Sequence, residues 1–485
     1  MNRTVVLCLL LLTAFVAGAQ TNVSIRGTME NGASKHVELY GYEDMLTRKE
    51  VLLSSADAAS DGSFSLECYA NYPRLVYVQV ECYTQSFFIE PGRTYEVYLP
   101  QFDWDVNEKR NIHLAPEALP LEFLNVPSDE LNLNIMRFED VADSFMTAHW
   151  EHFDPKYRPS GRMFNQMVAE LDAKVPAPEA ASYFGRYREY TLAQMRLAMR
   201  FVSRNKLIDK YISDNPILYH DETYMRMFFA LFEYSVSRGT KKIPQQRLAA
   251  WVEQGMLETY LDSLGLDARL RNEQVRELVA LQALKEAFHD RAYDRTAVVA
   301  MVEKLGAASK FDEHRRLAAH LAESMSRQET GAVAPPIELP DVEHRKVSLD
   351  SFRGQWVYLS FVRTGDPHSL KELETMAHFR DTVYARHPDV KFVTVVCDRE
   401  FQKMYHLLKN SKRGQRYNWT WLHFDGQYRL LERYGVSSYP TFVLINPEGG
   451  IHYTVTPPPA SGILMRGPWE KTVPLKEAGG PAFGR

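Results

Sequence analysis

The sequence predicts a multidomain α+β chain: an N-terminal antiparallel β-sandwich, a central all-α domain and a C-terminal α/β domain. Three observations lead there. Apolar residues alternate with a period of two from about residue 22 to 100, and repeat at helical spacing from about 119 to 328. Beyond residue 331 strand and helix patterns alternate, which is the signature of a sheet with crossover helices. At 485 residues the chain is also too long for one compact core.

The first residues read as an export signal. Asn2 and Arg3 form a short positive region, residues 5–16 an apolar run, and Ala17-Gly18-Ala19 a small-residue cleavage site. The run is shorter than the roughly 20 residues a membrane span requires, and Cys8 lies inside it rather than after it, unlike a lipoprotein anchor. No later segment is long and apolar enough to cross a membrane. The expected domains are a signal peptide at 1–19, the sandwich at 20–105, the helical domain at 106–330, the α/β domain at 331–470 and an irregular tail at 471–485. The mature protein is expected in the periplasm or outside the cell. Its net charge of −5, with 45% apolar and 25% charged residues, is ordinary for a folded chain and argues against a nucleic-acid partner. The most basic stretch, "KNSKRGQR" at 409–416, reads as a solvated loop.

Six strands are expected in the sandwich: "VSIRGTM", "HVELYGY", "GSFSLEC", "LVYVQVE", "SFFIEPG" and "TYEVYLP", with turns at Asn31-Gly32, Asp61-Gly62 and Pro91-Gly92. Three cysteines survive cleavage: Cys68, Cys82 and Cys397. Cys68 shares strand parity with Phe64 and Leu66, and Cys82 with Val76, Val78 and Val80, so both are expected on apolar faces. A hairpin centred near Tyr72-Pro73 sets Cys68 opposite Tyr77 rather than Cys82. A Cys68–Cys82 bridge and two buried thiols both remain open.

In the helical region, Phe184, Tyr187, Met195, Ala198 and Val202 form one stripe, and Val175-Pro176, Asn215-Pro216 and Gly239 divide the segment into several helices. His149 and His152 are three apart with no third ligand in view, and are read as exposed. His314 and His320, six apart, lie on different faces and suggest no metal site. No motif here calls for a cofactor.

The C-terminal pattern predicts strands at 356–362, 391–397, 442–446 and 451–455, with helices near 367–386, 400–410 and 427–434, hence a mixed sheet flanked by helices. Pro and Gly interrupt the tail, where Ile463, Leu464 and Trp469 are the residues available to cover the sheet.

"APPIELPDVEHRKVSLDSFRGQWVYLSF" (334–361) and "YGVSSYPTFVLINPEGGIHY" (434–453) resemble the TlpA/ResA-like branch of the thioredoxin superfamily. The order of signal peptide, β-sandwich ending in "FFIEPG", helical middle containing "NPILYHDETYMRMFF" and this domain is similar to large exported thioredoxin-like proteins of Bacteroidota. The resemblance implies a thioredoxin-like α/β fold, a cis-proline at Pro440 facing the active site, and a Cys-x-x-Cys pair at the start of the first helix. Only the proline is present. The four positions read Asp366, Pro367, His368 and Ser369.

The physical chemistry of these substitutions is definite. The N-terminus of a helix stabilises a negative charge, so Asp366 keeps a charge where the family keeps a thiolate. Asp is also a strong N-cap, and Pro367 suits the first helical position. A carboxylate cannot attack a disulfide, and Ser369 cannot resolve a mixed one. An Asp366/His368/Ser369 triad is disfavoured because successive helical residues splay about 100° apart. A peroxiredoxin-like centre fails for want of a thiol in "FVRTGDP". Cys397 ends an apolar strand at the ligand-binding edge of the sheet, so a one-cysteine oxidoreductase, or one using a partner's thiols, is the alternative. The main expectation is a non-catalytic domain that binds an extended peptide or another envelope protein, or braces an assembly. Its surface comprises Gly365, Asp366, Pro367, His368, Ser369, Tyr439 and Pro440.

Overall fold

A computed structural model describes residues 21–461 apart from 105–117, 155, 157–158, 177–178, 327–330, 383 and 453–455. The expected signal peptide, the irregular tail, its Ile463, Leu464 and Trp469, and most of the last expected strand lie outside the described residues. The chain packs as two compact units. One holds the N-terminal sheets and the helices through Ala318; the other runs from Ala319 through the C-terminal sheet and includes Glu81–Tyr83.

The first unit opens with β1 (Thr21–Met29), β2 (His36–Tyr42), β3 (Glu50–Asp57), β4 (Ser63–Ala70), β5 (Arg74–Val80), β6 (Tyr83–Ile89), β7 (Thr94–Leu99) and, after the connector, β8 (Glu122–Leu124). They form two four-stranded sheets, ordered β4-β1-β7-β8 and β3-β2-β5-β6. The β1–β7 pair is parallel, and the β1–β4, β2–β3, β2–β5 and β7–β8 pairs are antiparallel. Phe87 of one sheet meets Tyr95 and Phe123 of the other at ring-centroid distances of 6.1 and 5.5 Å, so the sheets share an aromatic core.

Two strands escape the sequence pattern. β3 is an edge strand whose residues are at most half-buried, and β8 has only three residues. The expected β4–β5 hairpin does not form, because β4 pairs with β1 while β5 crosses to pair with β2. No disulfide joins Cys68 to Cys82. Cys68 is buried in β4, whereas Cys82 is half-buried in the turn after β5, outside the strand it was expected to share. β5 is buried on both faces from Val76 to Val80, since its sheet lies between the other sheet and the helices. Phe88 of β6 projects into the helical core, 5.4 Å from the Tyr183 ring.

The helices are α1 (Leu131–Ala148), α2 (Gly161–Lys174), α3 (Tyr183–Ala198), α4 (Arg204–Tyr211), α5 (Glu222–Phe232), α6 (Gln245–Glu253), α7 (Leu257–Gly265), α8 (Glu273–Ala287), α9 (Arg295–Ala308) and α10 (Asp312–Ser326). Side-chain caps start many of them: Glu130, Ser160, Ser182, Ser203, Asp221, Asn272 and Asp294 each accept a first-turn N–H. Buried Asn132 at the start of α1 accepts the Phe88 N–H at 2.7 Å and donates to its carbonyl at 2.8 Å, pairing the backbone of an edge strand. Phe184 and Tyr187 are buried as the stripe predicts, but α3 ends at Ala198. Leu192 and Ala193 carry its burial onward, while Ala198 is exposed and Val202 lies past the helix end. His149 and His152 are exposed. Among the described residues no group of His, Cys, Asp or Glu is arranged to hold a metal, and no helix is long and apolar enough to cross a membrane.

The second unit contains the hairpin β9 (Glu338–Pro340) and β10 (Lys346–Ser348), then β11 (Trp356–Val362), α11 (Pro367–Thr382), β12 (Val390–Val396), α12 (Phe401–Asn410), β13 (Thr420–His423), α13 (Tyr428–Arg433) and β14 (Thr441–Ile445). Its main sheet is ordered β13-β12-β11-β14, with three parallel strands and β14 antiparallel. β13, four residues long, was not expected from the pattern. The first expected helix stops at Thr382, and a 3₁₀ turn at Tyr384–Arg386 follows. The basic stretch at 409–416, which begins in the last turn of α12, carries ion pairs, Lys409 with Glu343 and Arg413 with Glu374. Each sheet face has its own core. One gathers Leu359, Phe361, Val395, Cys397 and Tyr439; the other gathers Tyr358, Leu373, Met376, Phe392 and Trp421.

Candidate functional site

β11 ends at Val362 and the chain turns through Arg363 to Gly365 before α11 begins. Asp366 caps that helix: its Oδ2 accepts the Ser369 backbone N–H and the Ser369 hydroxyl, both at 2.7 Å. The Ser369 oxygen in turn accepts the Arg363 N–H at 3.4 Å, and Ser369 is 0% exposed. The two positions that would carry a cysteine pair are therefore bonded to each other as a carboxylate and a hydroxyl. Asp398, after β12, anchors the same loop by accepting the Thr364 N–H at 2.7 Å. Gly365, Pro367 and His368 are exposed. The Ser369 hydroxyl is directed to Asp366 rather than to His368, so no triad is assembled.

Across the loop, the Tyr439–Pro440 peptide bond is cis. Tyr439 is 6% exposed, and the Arg363 guanidinium lies 4.9 Å from its ring centroid. The Tyr439 hydroxyl faces the Cys397 thiol and Arg363, and burial pushes its pKa well above the usual phenol range. Tyr439 thus belongs to the core that also holds Phe361, Val395 and Cys397.

Cys397 follows β12 and is 2% exposed, with Sγ 3.6 Å from the Val395 carbonyl oxygen. Burial pushes the thiol up to about 12, against the opposing pull of Tyr439 and Arg363. Raised by burial and shielded from solvent, the thiol is held in its protonated form near neutral pH, which disfavours it as a redox nucleophile. Iodoacetamide at pH 8 is accordingly expected to leave Cys397 unmodified in the native protein and to alkylate it in urea. Equal rates in the two states would show that the thiol is accessible.

An open cleft of about 570 Å³ runs beside the cis-proline. His368 and Glu372 of α11, Ser437, Tyr439 and Pro440, and Phe442 of β14 line it. The cleft brings together His368, Tyr439 and Pro440 of the expected surface. Gly365, Asp366, Pro367 and Ser369 are not among its lining residues. On β14, Leu444 accepts the His452 N–H at 2.7 Å and donates its own N–H to the Thr456 hydroxyl at 2.9 Å. Phe442, two residues earlier, turns its N–H and C=O to the same side. Glu372, whose carboxylate accepts the Ala460 N–H at 3.0 Å, and Arg363 are parts of this region that the residue pattern did not single out. The only hint was Arg363's place immediately after an apolar strand.

The first unit has a second cleft, of about 460 Å³, between the β2–β3 connection and α5 and α8. Several of its charged groups are partnered: Arg48 and Arg226 lie 3.5 and 3.9 Å from Glu222, and Lys285 donates to the Leu46 carbonyl. Glu286 accepts from Tyr234, Ser237 and Gln282.

The AhpC/TSA family model matches residues 330–454. Among solved structures, the C-terminal region is similar to the thioredoxin domain of a thiol-disulfide oxidoreductase from Bacteroides vulgatus, at 25% identity over 25% of this chain and 85% of that one, with a TM-score of 0.23. It is similar to a thiol:disulfide interchange protein from Bacteroides sp., at 26% identity over 25% of this chain and 78% of that one, with a TM-score of 0.23. A thiol-disulfide oxidoreductase from Bacteroides fragilis is 18% identical over 28% of this chain and 98% of that one, with a TM-score of 0.24. No curated protein sequence matches the chain. The C-terminal unit has a fold of the thioredoxin-like superfamily, and the cysteine pair is absent from it.

Proposed function

We propose that this is an exported protein whose thioredoxin-like unit binds an extended segment of another envelope protein, without redox chemistry of its own. The observation that carries the reading is the open cleft beside cis-Pro440, next to a loop in which Asp366 and Ser369 cap a helix. The backbone around Ser437 and Tyr439, and the outward-turned N–H and C=O of Phe442, suit main-chain pairing with an extended peptide. His368 and Glu372, which line the same cleft, suit contacts with its side chains. Gly365 and Pro367, exposed at the neighbouring helix start, extend the surface beyond the cleft.

Crosslinking in intact cells followed by mass spectrometry tests this. Crosslinks to a second protein are expected to cluster on residues 365–369 and 437–440. Crosslinks confined to the sheets and helices of the first unit would overturn the binding reading and favour a bracing role.

A further inference from the structure

The helices of the first unit bury a hydrogen-bonded chain that has no part in the cleft. His314, near the start of α10, is 0% exposed. Its Nδ1 lies 2.9 Å from Glu277 Oε2 on α8, and its Nε2 lies 2.7 Å from the hydroxyl of Tyr219 in the α4–α5 connection. Ser309 donates its hydroxyl to the same Glu277 oxygen at 2.6 Å, and Gln274 of α8 donates its amide to Tyr219 Oη at 3.1 Å.

Counting donors and acceptors fixes where the protons lie. Glu277 accepts, so Nδ1 carries a hydrogen. The Tyr219 oxygen accepts from Gln274 and gives its single proton to Nε2. Every proton then has an acceptor, and the imidazole is neutral. A second ring proton on Nε2 would face the phenol proton, so the Tyr219 hydroxyl must turn its proton away from the ring and lose the acceptor it now has.

The groups around the ring come from each neighbouring element. Glu277 and Gln274 reach it from α8, directly and through Tyr219. Tyr219 comes from the connection, and Ser309 and Phe311 from the link before α10, the Phe311 ring 5.1 Å away edge-on. Glu313 stands beside it on its own helix. Burial, the larger influence, holds His314 below the ordinary histidine range, against the pull of Glu277 and Glu313.

Tyr219 sits in a segment with other ties. The neighbouring His220 ring stacks on Tyr72, in the bend between β4 and β5, with centroids 4.2 Å apart. Asp221 caps α5 through the Tyr224 N–H at 3.0 Å and pairs with Arg186 of α3 at 2.8 Å.

We propose that His314 is a pH-sensitive latch. Neutral, it holds the 212–221 connection against α8 and α10 through Tyr219. Protonated, it releases Tyr219 and loosens the connection, including the contact of His220 with Tyr72. The direction follows from the lowered affinity of the closed state for the proton. The closed state is fully stabilised above the ordinary histidine pKa of 6.5 and loses stability as pH falls through it. One proton changes the opening equilibrium by at most about tenfold per pH unit.

Amide hydrogen exchange on the full chain, corrected for intrinsic rates, tests the latch at pH 7.5 and 5.0. Segment 212–221 is expected to lose protection by about tenfold at pH 5.0. In His314→Gln the two pH values should give equal protection. Tyr219→Phe, which keeps the ring, should show at pH 7.5 the exchange that the native chain reaches only at pH 5.0. Unchanged protection in the native chain at the two pH values would overturn the proposal. So would a drop of the same size in His314→Gln, which would assign the response to another group such as His220. Native-like protection in Tyr219→Phe at pH 7.5 would overturn it independently, even if His314→Gln does not fold.

Discussion

Asp366→Cys combined with Ser369→Cys is expected to yield a chain that closes a disulfide in oxidised glutathione and gains insulin reductase activity. The two positions are three apart at the start of α11, where side chains in the first turn come within about 5–6 Å. Disulfides bridge Cα atoms at about 4.4–6.8 Å, so the backbone needs little movement. The free N–H groups and dipole of the helix start are expected to draw the first thiol below its ordinary value of about 8.5, which makes it a competent nucleophile near neutral pH. The exchange lost a cap worth about 1 kcal/mol, a modest cost to a folded domain. Mass spectrometry should find the pair two hydrogens lighter after oxidation, and the reduction rate should exceed that of the native chain by about tenfold or more. Two free thiols in a folded, oxidant-treated variant would mean that this loop is not placed as a redox centre.

The second large effect concerns the support beneath the cleft. Phe361, fully buried in β11, packs 5.2 Å from the Tyr434 ring and belongs to the core that includes Cys397, Tyr439 and Val443. Phe361→Ala removes a ring from the core that Tyr439 and Val443 share, and should destabilise the C-terminal unit by about 3–5 kcal/mol. With a urea slope of about 1–3 kcal/mol per molar, the midpoint should fall by more than about 1 M. The readout is the fluorescence of Trp356, Trp419 and Trp421, all within this unit. A shift below about 0.3 M would show that the core relaxes around the loss and that the cleft does not depend on it.

Much of this architecture was legible from the residues. β11 matches its apolar run end to end, and the Asp366-Pro367 start of α11 follows from capping chemistry alone. What escaped has physical causes. β3 is an edge strand without a clean buried face, and β13 is only four residues long, so neither produces a lasting alternation. β5 lost its alternation because both its faces are covered, and its crossing to the second sheet broke the expected hairpin. At the site, spacing placed Asp366 and Ser369 together but not the ring of Tyr439 beneath Arg363, which depends on how the cis-proline segment folds over the end of β12. His314 looked inert by its spacing from His320. Its partners, Glu277 and Tyr219, lie 37 and 95 residues away, where no local pattern reveals them.

The central claim is that the redox-centre position of this fold is occupied by a helix cap. Insulin reduction by dithiothreitol, followed by turbidity with the native chain present, tests it most directly. The expected trace coincides with buffer alone. A clear acceleration that survives Cys397→Ser would contradict the claim, because the chain would then be transferring electrons without a thiol at the site or at the end of β12.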